Sequence, residues 1–377
     1  MPLTARQLNR ATLARQLLLR RKRLGVVEAI DRVVALQAQE PASPYVALWN
    51  RVEGFDPADL DRAYATHTII KSPSMRITLH AVTAADYPRF HGAMQPSLRA
   101  SRLGDDRFAV AGLSRQQADD VIPELLAYAS EPRSNQDMDA WLDARFGDLP
   151  KPGVWWAIRT YGPFIHAPNG GPWMFGPRPG YLASPYLERS GDPERDLEHL
   201  VRRYLEGFGP ATVADIGQFA LVTRSRVKSA VEAMGDALVR VDGPGGTVLL
   251  DVPGGVVPDE GAPAPPRLLG MWDEVLLAYQ DRSRVVPEAI RKVVTRSNGD
   301  VLPTLLVDGQ VAGVWRPVEG AIEATALAPI PRSAWQALER EARWLLAFLA
   351  DRDPAIYRRY GHWWARLPEG EVRILGA

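Results

Sequence analysis

From its N-terminus to Val252 the chain repeats one pattern three times: a set of helices followed by a short β-hairpin. No other feature restricts the fold so strongly. A hairpin that folds back on a small helical cluster buries one apolar face in one way only, and the pattern recurs in register. In the first unit the apolar periodicity predicts helices over about Thr4–Arg20 and Val26–Gln37, a helical stretch around Tyr45–Arg51, and a helix capped by Asp56 with Pro57 at its first position. Two β-rich runs follow, Thr68–Lys71 and Arg76–Val82, with Ser72-Pro73-Ser74 as the turn. The second unit starts at Ser114, with helices over Arg115–Ala129, Asp137–Phe146 and Pro152–Tyr161, then Phe164–Pro168, an Asn169-Gly170-Gly171 turn and Trp173–Phe175. The third has helices over Pro193–Gly207, Thr212–Phe219 and Thr223–Met234, then Ala237–Val241, a Gly-Pro-Gly-Gly turn and Thr247–Val252.

Helices followed by a hairpin make a winged helix, a helix-turn-helix variant whose hairpin is the wing. The expected fold is therefore α+β, with three tandem winged-helix units at 1–100, 101–185 and 186–255. Residues 253–266 hold five Pro and three Gly and read as a linker. Beyond it, Leu302–Val307 and Val311–Trp315 flank an Asp-Gly turn, Ala321–Leu327 offers a further strand, and Ser333–Asp351 is an amphipathic helix. Residues 267–377 thus form a C-terminal β-rich module with a covering helix.

Composition closes several alternatives. With 46% apolar and 24% charged residues the chain is ordinary for a globular protein. It has no Cys, so disulfides, a thiol nucleophile and thiolate-bound metal are excluded. The six His are scattered and no metal-binding spacing, Walker loop or Gly-x-Ser-x-Gly elbow is present, so neither a metal nor a cofactor is expected. Apolar runs such as Trp344–Ala350 are far shorter than the ~20 residues of a membrane span. No acidic residue precedes Glu28 in an Arg-rich start, which resembles a transit peptide. The capping box of Thr4 and Gln7 argues instead for a structural segment and a cytoplasmic protein.

Duplex DNA is bound mostly through phosphates, so charge must agree with the fold. The chain is neutral, with 45 basic and 45 acidic residues, but Lys accounts for only five of the basic ones. Arg is the better fork for phosphate. Basic residues collect at Arg15–Arg23, at Arg99–Arg107, on the third helix of unit three (Arg224, Arg226, Lys228), and at Arg282, Arg284, Arg291, Lys292 and Arg296. Arg224 and Lys228 share a helical face. His166 and Trp173, at the hairpin of unit two, are placed to reach a groove, although Trp173 could equally belong to that unit's core.

One motif carries possible chemistry. Gln37-Ala38-Gln39-Glu40-Pro41 ends the second helix, where Gln37 continues the apolar face of Ile30, Val33 and Val34. Residues two apart on a helix point about 200° apart. If the helix ends near Ala38, both amides could face one pocket; two polar residues at a helix end remain the plainer reading.

Gln37-Ala38-Gln39 resembles the Gln-aliphatic-Gln motif of the AlkZ-like winged-helix DNA glycosylases. Arg76-Ile77-Thr78-Leu79-His80 resembles their Arg-Gly-Thr-Leu-His stretch in the first wing, with Ile77 in place of the usual Gly. Phe208–Asp215, Asp281–Arg284 and Leu306–Arg316 also match, so the resemblance runs collinearly from about residue 4 to 316. Relatives of the YcaQ-like branch carry Gln-aliphatic-Asp, and Gln39 places this chain with the other branch. The resemblance implies a C-shaped cradle of winged helices and a monofunctional glycosylase, and nothing in the sequence suggests more than a monomer. It also implies hydrolysis of the N-glycosidic bond of cationic N7-alkylated purines in double-stranded DNA, including azinomycin-type interstrand crosslinks. Gln37 and Gln39 would be the catalytic pair. Arg224, Lys228, Arg282, Arg284, His166 and Trp173, joined by Arg76 and His80 of the first wing, would face DNA.

The chemistry is consistent with two amides. An N7-alkylguanine is already cationic and leaves as a neutral base, so no general acid is needed. What remains is to hold a water under C1′ and to stabilise an oxocarbenium-like sugar. A crosslinked base cannot swing fully out of the duplex, which suits an open cradle better than a closed pocket. Two rival readings keep the fold without the chemistry: a tandem winged-helix transcription regulator, which usually dimerises, and a scaffold for protein contacts. No sustained heptad is present to support a dimer.

Overall fold

The computed structural model describes residues 2–186 and 191–377. Residues 187–190, within the expected third unit, lie outside the described residues. The structure is a mixed α and β protein built on the expected winged helices.

In unit one, α1 (Ala5–Arg15) starts on the Thr4–Gln7 capping box. It ends earlier than the apolar pattern predicts, because Leu17 takes a φ of 57° and the Leu18 N–H bonds back to the Leu13 carbonyl. Then come α2 (Val26–Val33), β1 (Leu36–Gln37), α3 (Ser43–Arg51), α4 (Pro57–Ala65), capped by Asp56, β2 (Ile69–Pro73) and β3 (Leu79–Thr83). The strands form an antiparallel sheet ordered β1-β3-β2. Two expectations need correction. The second helix stops at Val33, because Val34 sits at φ 75°, so Gln37 lies on a strand. The wing turns over residues 74–78, not 72–74.

Helix α5 (Tyr87–Leu103) was not expected from sequence; it contains Pro96 and lacks a side-chain N-cap. Unit two follows, with α6 (Asp106–Ala109), α7 (Arg115–Asp120), α8 (Ile122–Tyr128), β4 (Arg133–Ser134), α9 (Asn135–Phe146), α10 (Val154–Tyr161), β5 (Phe164–Ala167) and β6 (Gly180–Ala183). The single helix expected over 115–129 divides at Val121, with Pro123 in the first turn of α8. Strand β5 pairs with β6 rather than with Trp173–Phe175, so Asn169-Gly170-Gly171 is not a hairpin turn but part of a longer loop. Unit three is close to expectation: α11 (Pro193–Phe208), α12 (Val213–Ala220) and α13 (Arg224–Met234), the last two capped by Thr212 and Thr223, then the hairpin β7 (Val239–Asp242) and β8 (Val248–Asp251).

The C-terminal module contains β9 (Arg267–Leu269), α14 (Glu288–Val294), β10 (Thr304–Val307), β11 (Gln310–Val318), β12 (Ala321–Ala326), α15 (Arg332–Ala350) and β13 (Val372–Leu375). Its five strands run in the order β13-β12-β11-β10-β9, all antiparallel. At the β10–β11 turn Asp308 and Gly309 both have positive φ, as a two-residue hairpin of this hand requires.

Packing divides the molecule differently from the repeat. One core joins unit one to the C-terminal module, with Tyr45, Trp315 and Trp335 buried in it. The other joins units two and three, where α5 lies between α10 and α11. The stretch 272–284 lies along the junction: the Tyr279 hydroxyl donates to the Phe208 carbonyl at 2.7 Å and contacts Thr12 Oγ1 at 2.6 Å. Among the described residues no helix is long and apolar enough to cross a membrane.

Candidate active site

The strand assignment of Gln37 changes the geometry of the motif. Gln37 pairs with His80 across β1 and β3, and His80 pairs with Ser72 of β2. Gln37 is the last residue of β1, and Gln39 follows two residues on, at a bend just past the strand end. The Ala38 N–H donates to the Leu79 carbonyl at 2.7 Å, and the Leu79 N–H reaches Gln39 Oε1 at 3.4 Å. Gln37 is 4% exposed, whereas Gln39 is exposed. The pair therefore runs from the interior to solvent past the end of β1.

Beneath Gln37 lies a buried polar cluster. Arg76 Nη2 donates to Gln37 Oε1 at 3.0 Å and to both carboxylate oxygens of Glu274 at 2.9 Å. His80 Nε2 lies 2.7 Å from Glu274 Oε1, and its Nδ1 lies 3.0 Å from the Thr78 carbonyl. Arg76 can only donate, so this contact fixes which end of the Gln37 carboxamide faces it. Burial alone would raise the Glu274 carboxyl, but Arg76 and His80 outweigh it and hold the group below its ordinary value. Arg76 also lies over the Phe219 ring, 5.3 Å from its centroid, so α12 of unit three closes on the wing of unit one.

Glu274 is positioned by its neighbour. Asp273 caps the short turn Glu274–Leu276 and forms a two-pronged ion pair with Arg51 of α3, both contacts at 2.7 Å and both side chains fully buried. Sequence reading missed Glu274. The available signal was a pair of carboxylates inside the apolar run Leu268–Tyr279, where a charge must find partners.

The other expected residues divide. Arg224 and Lys228 are exposed on α13; Arg224 Nη2 donates to Gln280 Oε1 at 3.1 Å, and neither makes an ion pair among the described residues. Arg282 is half-buried and donates to Thr295 Oγ1 at 3.2 Å; burial first, then Arg76 and Arg291, push its guanidinium down. Arg282 thus joins Arg76 near the first wing. Arg284 stacks on Tyr279 at 4.1 Å and donates to the Pro210 carbonyl at 3.0 Å, a role in packing. Two positions offer no surface to DNA here. His80 is fully buried under the sheet, and Trp173 is 4% exposed, its ring 5.0 Å from that of Tyr45. Apolar packing draws Trp173 inward and takes the place of a groove contact. His166 is half-buried against Tyr181, and burial, with Lys71 and Arg159 nearby, holds it well below the ordinary range for histidine.

Lys71 is a buried amine that the sequence reading passed over. It is 4% exposed, lies 4.1 Å from the Phe175 ring centroid, and is pushed down to about 7 by burial, with Glu40 acting in the opposite sense. Its register partners are Ala81 and, beyond it, Leu36, so it belongs to the opposite row of the sheet from Gln37, His80 and Ser72.

The fold and this site define a winged-helix protein with a polar cluster set between its first unit and the C-terminal module. The chain belongs to the AlkZ-like DNA glycosylase family, which it matches over residues 30–348. It is 24% identical over 352 residues to an interstrand DNA cross-link repair glycosylase of Streptomyces sahachiroi, covering 87% of this chain and 92% of that one. The solved structure of the Streptomyces sahachiroi DNA glycosylase AlkZ superposes with a TM-score of 0.79 at 21% identity, covering 94% of this chain and 99% of that chain. Family membership sets aside the reading as a regulator without catalysis.

Proposed function

We propose that this protein is a monofunctional DNA glycosylase that hydrolyses the N-glycosidic bond of cationic N7-alkylated purines. We further propose that it unhooks interstrand crosslinks built on them, azinomycin-type crosslinks included, acting as a monomer in the cytoplasm. The observation that carries the reading is the Gln37 carboxamide, held by a donor-only partner beside the exposed Gln39. A carbonyl oxygen has two lone pairs. Arg76 takes one on Gln37, which leaves the other for a water. Gln39 completes the water's cradle from the solvent side.

The C1′–N9 bond breaks as its electron pair moves to N9, and N7-alkylguanine departs uncharged. The water oxygen bonds to C1′ of the oxocarbenium-like sugar, and its surplus proton passes to solvent, since an amide is too weak a base to keep it. The partial negative charge of the amide oxygens favours the positive sugar. No step uses an amine, and Lys71 is in the row of the sheet facing away from this site. The product is an abasic site in an uncut strand. Arg224 and Lys228 are the proposed phosphate contacts, with Arg282 nearer the lesion.

Incubation with duplex DNA that contains one N7-methylguanine tests the reading. It predicts release of free base, and strand scission only after alkali. A protein that binds undamaged DNA tightly and releases no base would be a regulator instead.

A further inference from the structure

We propose that Glu274 is a positioning residue of the excision reaction, acting through Arg76 to fix the carboxamide of Gln37. The inference rests on the assignment of Gln37 to the chemistry.

Three observations carry it. First, Arg76 stands in a conformation it would not choose. Its φ is 54° and that of Ile77 is 60°, and two consecutive left-handed non-glycine residues relax unless contacts hold them. Its charged contact is Glu274, whose two oxygens both lie 2.9 Å from Arg76 Nη2. Second, Glu274 is itself immobile. It is 1% exposed, and the adjacent Asp273 is locked to Arg51. The chain of support thus runs from α3 through Arg51, Asp273, Glu274 and Arg76 to Gln37. Third, His80 closes the cluster from the other side. Its Nδ1 lies 3.0 Å from the Thr78 carbonyl, and its Nε2 lies 2.7 Å from Glu274 Oε1 and 3.3 Å from Arg76 Nη2. The hydrogen bond that orients the Gln37 carboxamide comes from Arg76 Nη2, at 3.0 Å.

A carboxylate is required at position 274 because its two jobs are electrostatic and geometric together. It must counter a guanidinium that is only 12% exposed, and it must take two contacts from one nitrogen. Without it Arg76 is free to leave the turn, and the carboxamide of Gln37 can rotate. Misplacing a reacting group by an ångström costs up to about a hundredfold in rate.

The test uses the full chain and a duplex oligonucleotide with a single N7-methylguanine. Single-turnover excision and DNA affinity are measured for Gln37→Ala, Arg76→Gln, Glu274→Gln and the double variant Arg76→Gln/Glu274→Gln. The proposal predicts that Arg76→Gln and Glu274→Gln each slow excision about ten- to a hundredfold, with DNA affinity within threefold of wild type. It predicts that the double variant is no slower than Arg76→Gln, because Glu274 acts through Arg76 alone. A merely structural role would make the two losses multiply. Should Glu274→Gln fail to fold with the Arg76 guanidinium left buried and unpaired, the comparison of Arg76→Gln with the double variant still decides, since the double variant leaves no unpaired guanidinium. Wild-type excision by Arg76→Gln, or a double variant more than threefold slower than Arg76→Gln, overturns the proposal. If Gln37→Ala excises at the wild-type rate, the assignment of the site fails first, and the two failures are told apart by that control.

Discussion

The first wing contains a substitution whose effect on stability has an unusual sign. Ile77 occupies a left-handed φ of 60°, where the family resemblance sets a glycine. A β-branched residue in that region carries about 1–2 kcal/mol of strain. Ile77→Gly releases it. Against this, glycine loses more freedom on folding, about 0.5–1 kcal/mol relative to alanine. Half-burial of Ile77 against the core of units two and three is worth about 1 kcal/mol more, and both Gly and Ala lose it. Ile77→Gly should therefore be close to wild type. Ile77→Ala keeps the strain and loses the packing, so it should fall about 1 kcal/mol below. At most positions Ala is more stable than Gly; here Gly should exceed Ala by about 0.5–1 kcal/mol. Urea unfolding of the three proteins, compared at a common slope, measures the difference. An Ala variant more stable than the Gly variant would refute the left-handed geometry of the turn.

Other outcomes follow from the same contacts. Arg51→Met leaves Asp273 buried and unpaired, so stability should drop by about 3–5 kcal/mol in denaturant unfolding. Replacing Arg224 and Lys228 together by Ala should weaken binding to duplexes of any sequence. It should also reduce the slope of log affinity against log salt by about 1.8, and an unchanged slope would place the phosphate footprint elsewhere. Lys71, with its folded value lowered to about 7, binds fewer protons folded than unfolded between that pH and its ordinary value of 10.5. Its contribution therefore makes stability rise with pH across that window, by up to about 1.4 kcal/mol per unit. Lys71→Met should flatten the rise between pH 7 and 9 while excision continues, and an unaltered pH dependence would show the amine to be solvated.

Local chemistry made much of this fold legible. Thr4 with Gln7 and Asp56 with Pro57 each begin a helix where the capping pattern indicates. Ends were harder. The stop of α2 depends on Val34 at φ 75°, a conformation valine rarely adopts, so composition pointed to Pro41 and a helix several residues too long. Helix α5 was hidden by its interior Pro96 and by Asp86, whose carboxylate goes to His199 and Arg203 rather than to a cap. The Asn-Gly-Gly signal failed because tertiary packing won: Trp173 is drawn against Tyr45, and Arg352 donates to the Pro172 carbonyl beside it at 2.8 Å. At the site, Gln37, Gln39 and Arg76 were readable through the motif. Glu274 was not, because it meets Arg76 and His80 across 198 and 194 residues, contacts that no local periodicity encodes.

The central claim is that the two carboxamides at the end of β1 do the chemistry without holding the DNA. Single-turnover release of N7-methylguanine by Gln37→Ala and by Gln39→Ala, with affinity for the same duplex measured alongside, tests it most directly. The account predicts that base release is lost in both variants while affinity stays within a few-fold of wild type. Normal release by both, or loss of release matched by an equal loss of binding, would contradict it.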